Sequence, residues 1–260
     1  MKGIRVKFSD FDKVYPEEKK QKLRSLILSW YVHRTIGKLL AWISLRAGIP
    51  ANALTVCSII AVTAASVLLA VGSTVATLII GLFLLWMWAI LDGADGHVAR
   101  ITGPTVFGEF LDRLGADFKR ALFYPCVGIR AISSPGWLSE TLIERGVPSY
   151  APLFLGCAAS VFSLWTVCVA FKFRSAFTNH LTIKKEIFVI ATNLIEFEIV
   201  FIIVAAIFRG WDMFVAFYAV SYFAILIAAF NFHIRAAITL SEAQSENGKT
   251  SSVSKHEKGE

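Results

Sequence analysis

Apolar stretches of membrane-crossing length follow one another along this chain, and no other feature limits its fold as much. They cover residues 52–71, 74–100, 107–132, 150–171, 186–208 and 211–237, each close to the roughly 20 residues that a helix needs to cross the hydrocarbon core. No water is present there to satisfy an open backbone, so such segments fold as helices. The sequence therefore predicts an all-α integral membrane protein with six transmembrane helices. Composition agrees: 56% of the 260 residues are hydrophobic and 17% charged, unlike a soluble domain.

The charges gather beside the membrane. Of 26 Lys and Arg, 11 precede Pro50, so the net charge of +7 speaks for anionic headgroups and against a nucleic-acid partner. Residues 1–18 lack the apolar run and cleavage site of a signal peptide and are expected in the cytosol. Over residues 19–46, Leu23, Ile27, Trp30, Leu39, Trp42 and Ile43 recur roughly every three to four positions, with Lys20, Arg24, Arg34 and Lys38 mostly on another face. That pattern predicts an amphipathic interfacial helix ahead of the first span; a soluble packing helix is the plainer alternative. The chain divides into a cytosolic arm with this helix (1–49), a transmembrane domain (50–240) and a polar, disordered cytosolic tail (241–260). Residues 133–149, with Pro135, Gly136 and Pro148, read as an external loop. With six spans, Arg100, Lys172, Arg174, Lys184 and Lys185 share a side with the amino-terminal arm, and Arg130, Arg145 and Arg209 lie opposite. The positive-inside rule then puts both termini, and the Arg100 end of the second span, in the cytosol.

One stretch breaks the apolar pattern. Within residues 91–117, Asp92, Asp95, Asp112 and Asp117 fall at the junction of the second and third spans. A single Asp at a helix centre costs roughly 2.5–3.5 kcal/mol, so ionisable residues there point to function. Four together repel unless cations sit between them. At about 100° per residue, Asp95 lies about 60° from Asp92, Gly96 about 40° and Ala99 about 20°, which makes one narrow face. Gly96 and Ala99 leave that face without bulk, so a ligand can approach the backbone. Arg100 supplies a cation suited to phosphate oxygens. Gly103 and Pro104 break the helix, and residues 108–112 open a second arm whose carboxylate can face the first two. Carboxylate oxygens in this arrangement suit Mg²⁺, with Mn²⁺ as a substitute. Two such ions beside a pyrophosphate stabilise the entering and leaving oxygens of an in-line displacement at phosphorus.

These residues resemble the signature of the CDP-alcohol phosphatidyltransferase family, D-x-x-D-G-x-x-A-R, eight residues, then G-x-x-x-D-x-x-x-D. Asp92, Asp95, Gly96, Ala99, Arg100, Gly108 and Asp112 match it. Two departures offset one another: seven residues separate Arg100 from Gly108, and Ala116 stands four places after Asp112, with Asp117 next. A π-bulge near Gly115 would bring Asp117 to the place of the family's last acid. On an unbroken α-helix it would lie about 140° from Asp112. The entry to the first span, Pro50-Ala51-Asn52-Ala53-Leu54-Thr55, is similar to a P-N-x-L-T opening common in the family, displaced by one residue. Asn52 and Thr55 either contact the nucleotide or cap the helix.

The resemblance implies a membrane transferase of phospholipid synthesis, in which a hydroxyl acceptor displaces CMP from a CDP-linked donor with Mg²⁺ or Mn²⁺ as cofactor. It implies Asp92, Asp95, Asp112 and Asp117 as metal ligands, and Asp117 also as the catalytic base for the acceptor hydroxyl. Gly96, Ala99, Arg100, Asn52 and Thr55 are the implied contacts to the nucleotide-linked substrate. CDP-diacylglycerol is the expected donor. The alternatives are a CDP-linked amino alcohol donating to diacylglycerol, or a catalytically degenerate homologue serving as a binding or scaffold subunit. The expected partners are the CDP-linked lipid or alcohol, membrane lipid and a second copy in a homodimer. A transporter would line a path near the midplane with its charges, whereas these gather at one surface.

Other polar residues leave alternatives open. Arg113, Lys119, Arg120, Lys184 and Lys185 suit either a phosphorylated acceptor or lipid headgroups. Glu196 and Glu198 lie about 200° apart on a helix and cannot both face one cavity. One of them either pairs with a buried base such as Arg120 or reads an acceptor amine. Asn231, His233 and Arg235 either touch substrate or lie at the interface. Cys57, Cys126, Cys157 and Cys168 show no C-x-x-C spacing and read as apolar packing.

Overall fold

The computed structural model describes residues 7–8, 10–13, 33–176 and 185–256. These form a single helical turn, Asp10–Lys13, and eight longer helices: α1 (Arg34–Ala47), α2 (Ala51–Val71), α3 (Val75–Thr102), α4 (Val106–Ser133), α5 (Trp137–Glu144), α6 (Ala151–Ala176), α7 (Lys185–Phe208) and α8 (Trp211–His256). No strand occurs among the described residues.

Local chemistry sets the helix ends. Gly48 closes α1 at φ 73°, a left-handed conformation open to a residue without Cβ. Thr74 and Thr77 cap one another at the start of α3. Gly103, at φ 95°, stops α3, and the Thr105 hydroxyl accepts the Gly108 N–H at 3.0 Å to start α4. Only residues 103–105 separate the two helices, so the acidic ends of α3 and α4 stay adjacent.

Within the bundle α3 packs on α1 and α2, α4 on α2 and α6, and α8 on α6 and α7. The main core includes Val62, Leu69, Leu85, Phe123, Tyr124, Val127, Trp211, Tyr218 and Tyr222. A second cluster of Phe11, Ala41, Leu45, Leu54, Ala94 and Val98 binds the amino-terminal turn and α1 to the later half of α3. Pro125 sits inside α4. Lacking an N–H, it leaves the Ala121 carbonyl four residues earlier without its helical donor. The Ser160 hydroxyl of α6 reaches that carbonyl at 3.4 Å, a long bond that answers the vacancy from a neighbouring helix.

Among the described residues, four helical segments are long and apolar enough to cross a membrane: Ala51–Val71, Val75–Thr102, Ala151–Val169 and Trp211–Thr239. At 28 residues α4 is as long as α3, but it carries Glu109, Asp112, Arg113, Asp117, Lys119, Arg120 and Arg130. The apolar part described for α7 is shorter, Phe197–Phe208. All six expected stretches are thus helical, and four of them meet the demands of a span on length and composition.

Of the helix expected over residues 19–46, the part before His33 lies outside the described residues. The remainder, α1, seats Ala41, Ser44 and Leu45 against the bundle and leaves Leu39 and Ile43 exposed, with the Arg46 guanidinium 3.7 Å over the Trp42 ring. Two stretches differ from their reading. Residues 133–149 contain α5 where a loop was expected, because the Asp212 carboxylate of α8 accepts the Ser139 N–H at 2.6 Å and caps its first turn from a distance. The backbone of α8 continues to His256 through the stretch read as a polar tail.

Candidate active site

The last three turns of α3, the turn after it and the first turns of α2 and α4 surround a cavity of about 750 Å³. Asp92, Asp95, Gly96, Ala99 and Arg100 line it from α3, Gly108 and Asp112 from α4, and Asn52 and Thr55 from α2. The helical arithmetic of the D-x-x-D segment therefore delivers one acidic face, and the three-residue turn folds Asp112 back toward it. A Cβ built on Gly108 would stand 2.9 Å from the Asn52 side-chain oxygen, so glycine is what lets α4 start this close to α2. A Cβ built on Gly96 would stand 3.4 Å from the Arg100 guanidinium, which lies back along α3 over that bare position.

The charges are one-sided. Among the described residues, Asp92, Asp95, Glu109 and Asp112 line the cavity together with a single guanidinium, that of Arg100. Asp92 lies within electrostatic reach of both Asp95 and Asp112, and of Lys119 and Arg120 as opposing cations. Asp112 interacts with Arg100, Arg113 and Glu109. Asp95 is held by a buried hydrogen bond from the Thr55 hydroxyl at 2.6 Å. Thr55 thus acts on an acid of the site and does not cap α2, whose N-cap is Pro50. Glu109 pairs with Arg113 at 2.5 Å on the exposed side.

Among the described residues no three His, Cys, Asp or Glu side chains converge tightly enough to form a metal group. The donor set still fits a hard divalent cation, since Asp92, Asp95 and Asp112 offer only carboxylate oxygens, share one cavity and repel one another.

Asp117 is placed elsewhere. The helix α4 runs through Gly115 as unbroken α-helix, without a π-turn, which sets Asp117 about 140° from Asp112. Its carboxylate accepts a hydrogen bond from Arg120 at 3.0 Å, is 45% exposed, and does not line the cavity.

Several lining residues were not singled out from the sequence: His33, Trp88, His97, Thr105, Glu109 and Ile199. Trp88 lies one turn before Asp92 and Glu109 one residue after Gly108, so helical spacing could have found them. Ile199 comes from α7, and nothing local points to it. Glu198 pairs with Lys119 and not with Arg120, and Glu196 lies outside the residues whose side chains are described.

A membrane-embedded helical bundle with three aspartates and an arginine on one wide cavity defines a class suited to phosphorylated substrates. The model of the CDP-alcohol phosphatidyltransferase family matches residues 49–252, and the chain belongs to that family. A comparison with curated proteins finds none that matches. Membership makes this protein a phosphotransferase of phospholipid biosynthesis, with a CDP-linked alcohol and membrane lipid as its implied substrate and surroundings. The family as a whole depends on divalent metal.

Proposed function

We propose that the protein transfers a phosphatidyl group from CDP-diacylglycerol to the hydroxyl of a small polar alcohol and releases CMP. The observation that carries this reading is the single cavity shared by Asp92, Asp95, Asp112 and Arg100 in a chain of this family. Its lining also supports a lipid-linked donor, because the acids adjoin an apolar end made by Trp88, Ala89 and Ile199.

In this proposal Asp92, Asp95 and Asp112 hold Mg²⁺ or Mn²⁺, with Asp117 as a fourth ligand and base. Bound divalent metal would neutralise the diphosphate and stabilise charge at the reacting phosphorus. Arg100 grips phosphate oxygens as a fixed cation. Gly96 and Ala99 leave room for the substrate beside the α3 backbone, Asn52 lines its entry, and Thr55 orients Asp95. For Asp117 to share the metal or take the acceptor's proton, α4 must admit a bulge near Gly115 that swings this position toward Asp112, and its carboxylate must leave Arg120. Asp117→Asn tests that role: a wild-type rate would assign the base elsewhere.

The same proposal takes α2, α3, α4, α6, α7 and α8 as six spans, with residues 1–49 as arm and interfacial helix, 50–240 as the catalytic domain and 241–260 as tail. Both termini and the cavity mouth face the cytosol. The exposed Leu39 and Ile43 beside Arg46 and Trp42 support α1 lying at the headgroup level.

The test is CMP release by purified protein in lipid, with CDP-diacylglycerol and a panel of alcohols, before and after chelation of divalent metal. One alcohol should support release, chelation should abolish it, and Mg²⁺ or Mn²⁺ should restore it. Release only with diacylglycerol and a CDP-linked amino alcohol would reverse the loading. Metal-independent release would mean that the carboxylates do not act through a bound cation.

A further inference from the structure

An ion pair lies inside the bundle, formed by Lys119 of α4 and Glu198 of α7, whose side chains are 4% and 2% exposed. The Lys119 ammonium stands 5.1 Å from the ring centres of both Trp88 and Phe123 and 5.6 Å from that of Tyr124. The hydroxyls of Tyr124 and Tyr222 bond to each other at 2.8 Å. Tyr218 of α8 donates to the Leu194 carbonyl of α7 at 2.9 Å, one turn before Glu198. Four helices therefore meet around one buried pair.

Burial of such a pair is a poor way to gain stability. Desolvation of both charges offsets most of their attraction, and apolar side chains of similar volume are often neutral or better. Its location suggests a different use. Trp88 lines the cavity one turn before Asp92, and Ile199, the neighbour of Glu198, lines it from α7. Lys119 holds both elements, through the ring of one and the carboxylate beside the other.

We propose that the Lys119–Glu198 pair is a positioning device for the apolar end of the cavity, holding Trp88 and Ile199 at the separation that admits the lipid part of the CDP-linked substrate. This rests on the transferase reading above. Neither charged residue lines the cavity, so both reach the substrate's lipid part through the two side chains that do; Lys119 also lies within electrostatic reach of Asp92, a contact that Glu198→Asp leaves in place. Loss of the pair alters how the lipid-linked substrate is received.

The experiment measures kcat, KM for CDP-diacylglycerol, KM for the soluble acceptor and thermal stability in lipid. The variants are Lys119→Met/Glu198→Leu, which removes both charges at similar volume, and Glu198→Asp, which withdraws the carboxylate by one methylene. The double variant is expected to melt near the wild type with KM for CDP-diacylglycerol raised about tenfold, and its kcat also registers the lost Lys119 charge near Asp92; Glu198→Asp keeps that charge, so its kcat changes less than about threefold, the pattern of lost binding rather than lost chemistry. Glu198→Asp raises the same KM several-fold, and the acceptor's KM stays put in both. A double variant with wild-type stability and wild-type KM overturns the inference, since the pair would then be structural only. Should the double variant not fold, an unchanged KM in Glu198→Asp overturns it and a raised one upholds it. A wild type that neither releases CMP nor is stabilised by any CDP-linked lipid defeats the functional reading and this inference with it. An active wild type with unshifted variants defeats the inference alone.

Discussion

Two groups of charges sit in the apolar helices of this protein, and they are solved in opposite ways. Lys119 and Glu198 face one another inside the bundle, closed off by aromatic rings. Asp92, Asp95 and Asp112 face an open cavity in which Arg100 is the only guanidinium among the described residues. A buried charge needs compensation, from backbone N–H groups as at Asp212 or from an opposite charge, and the first group finds the opposite charge within the chain. The second is left in excess, which a protein tolerates where an outside cation completes the set. Balance marks the structural charges, and imbalance marks the site.

That contrast breaks first at the carboxylates. Asp92→Asn or Asp112→Asn should lower CMP release by about a hundred- to a thousandfold, the range seen when a group stabilising the transition state is lost. Expression and melting temperature should hold, because each change relieves repulsion. Appreciable activity in either variant would take that residue off the reacting centre. Lys119→Met alone should do the reverse to the fold: it strands Glu198 and costs about 3–5 kcal/mol of stability, read as a lower melting temperature in detergent. A variant as stable as the wild type would mean that Glu198 finds another partner.

Thr55→Val sharpens the comparison from inside the acidic group. It keeps the side chain's shape and deletes the 2.6 Å bond to Asp95. Hydrogen bonds to charged groups are worth about 1.5–3 kcal/mol, so activity should fall roughly ten- to a hundredfold; an unchanged kcat/KM would show that Asp95 needs no such hold. The smallest effect is expected at Arg113→Gln. Its pair with Glu109 is more than half exposed on both sides, and such pairs contribute at most about 1 kcal/mol. Melting should shift by no more than a degree or two, and a larger drop would put Arg113 among the structural charges.

Much of the fold was legible before any coordinates. The six stretches are helical, five of them to within about five residues of the expected limits while α8 runs on to His256, because bilayer-length apolar runs admit little else. The D-x-x-D-G segment announced its own face, and Gly103 and Thr105 announced the turn that folds the second arm back. What was not legible came from partners far along the chain. Thr55 holds an aspartate 40 residues away, Glu198 meets a lysine 79 residues away, and Asp212 caps the short helix α5 across 73 residues. Asp117 shows the same limit from the other side: its spacing suggested a bulge, and the unbroken helix set its direction.

The sequence by itself determined which apolar stretches are helical, which faces carry acids, and to which family the chain is similar, because these depend on helical periodicity and on neighbours within a turn or two. Tertiary structure decided which charges neutralise one another, which aromatic and aliphatic side chains wall the cavity, and where Asp117 points. Those outcomes depend on how distant helices rotate and pack, and each helix offers several faces that local sequence ranks alike.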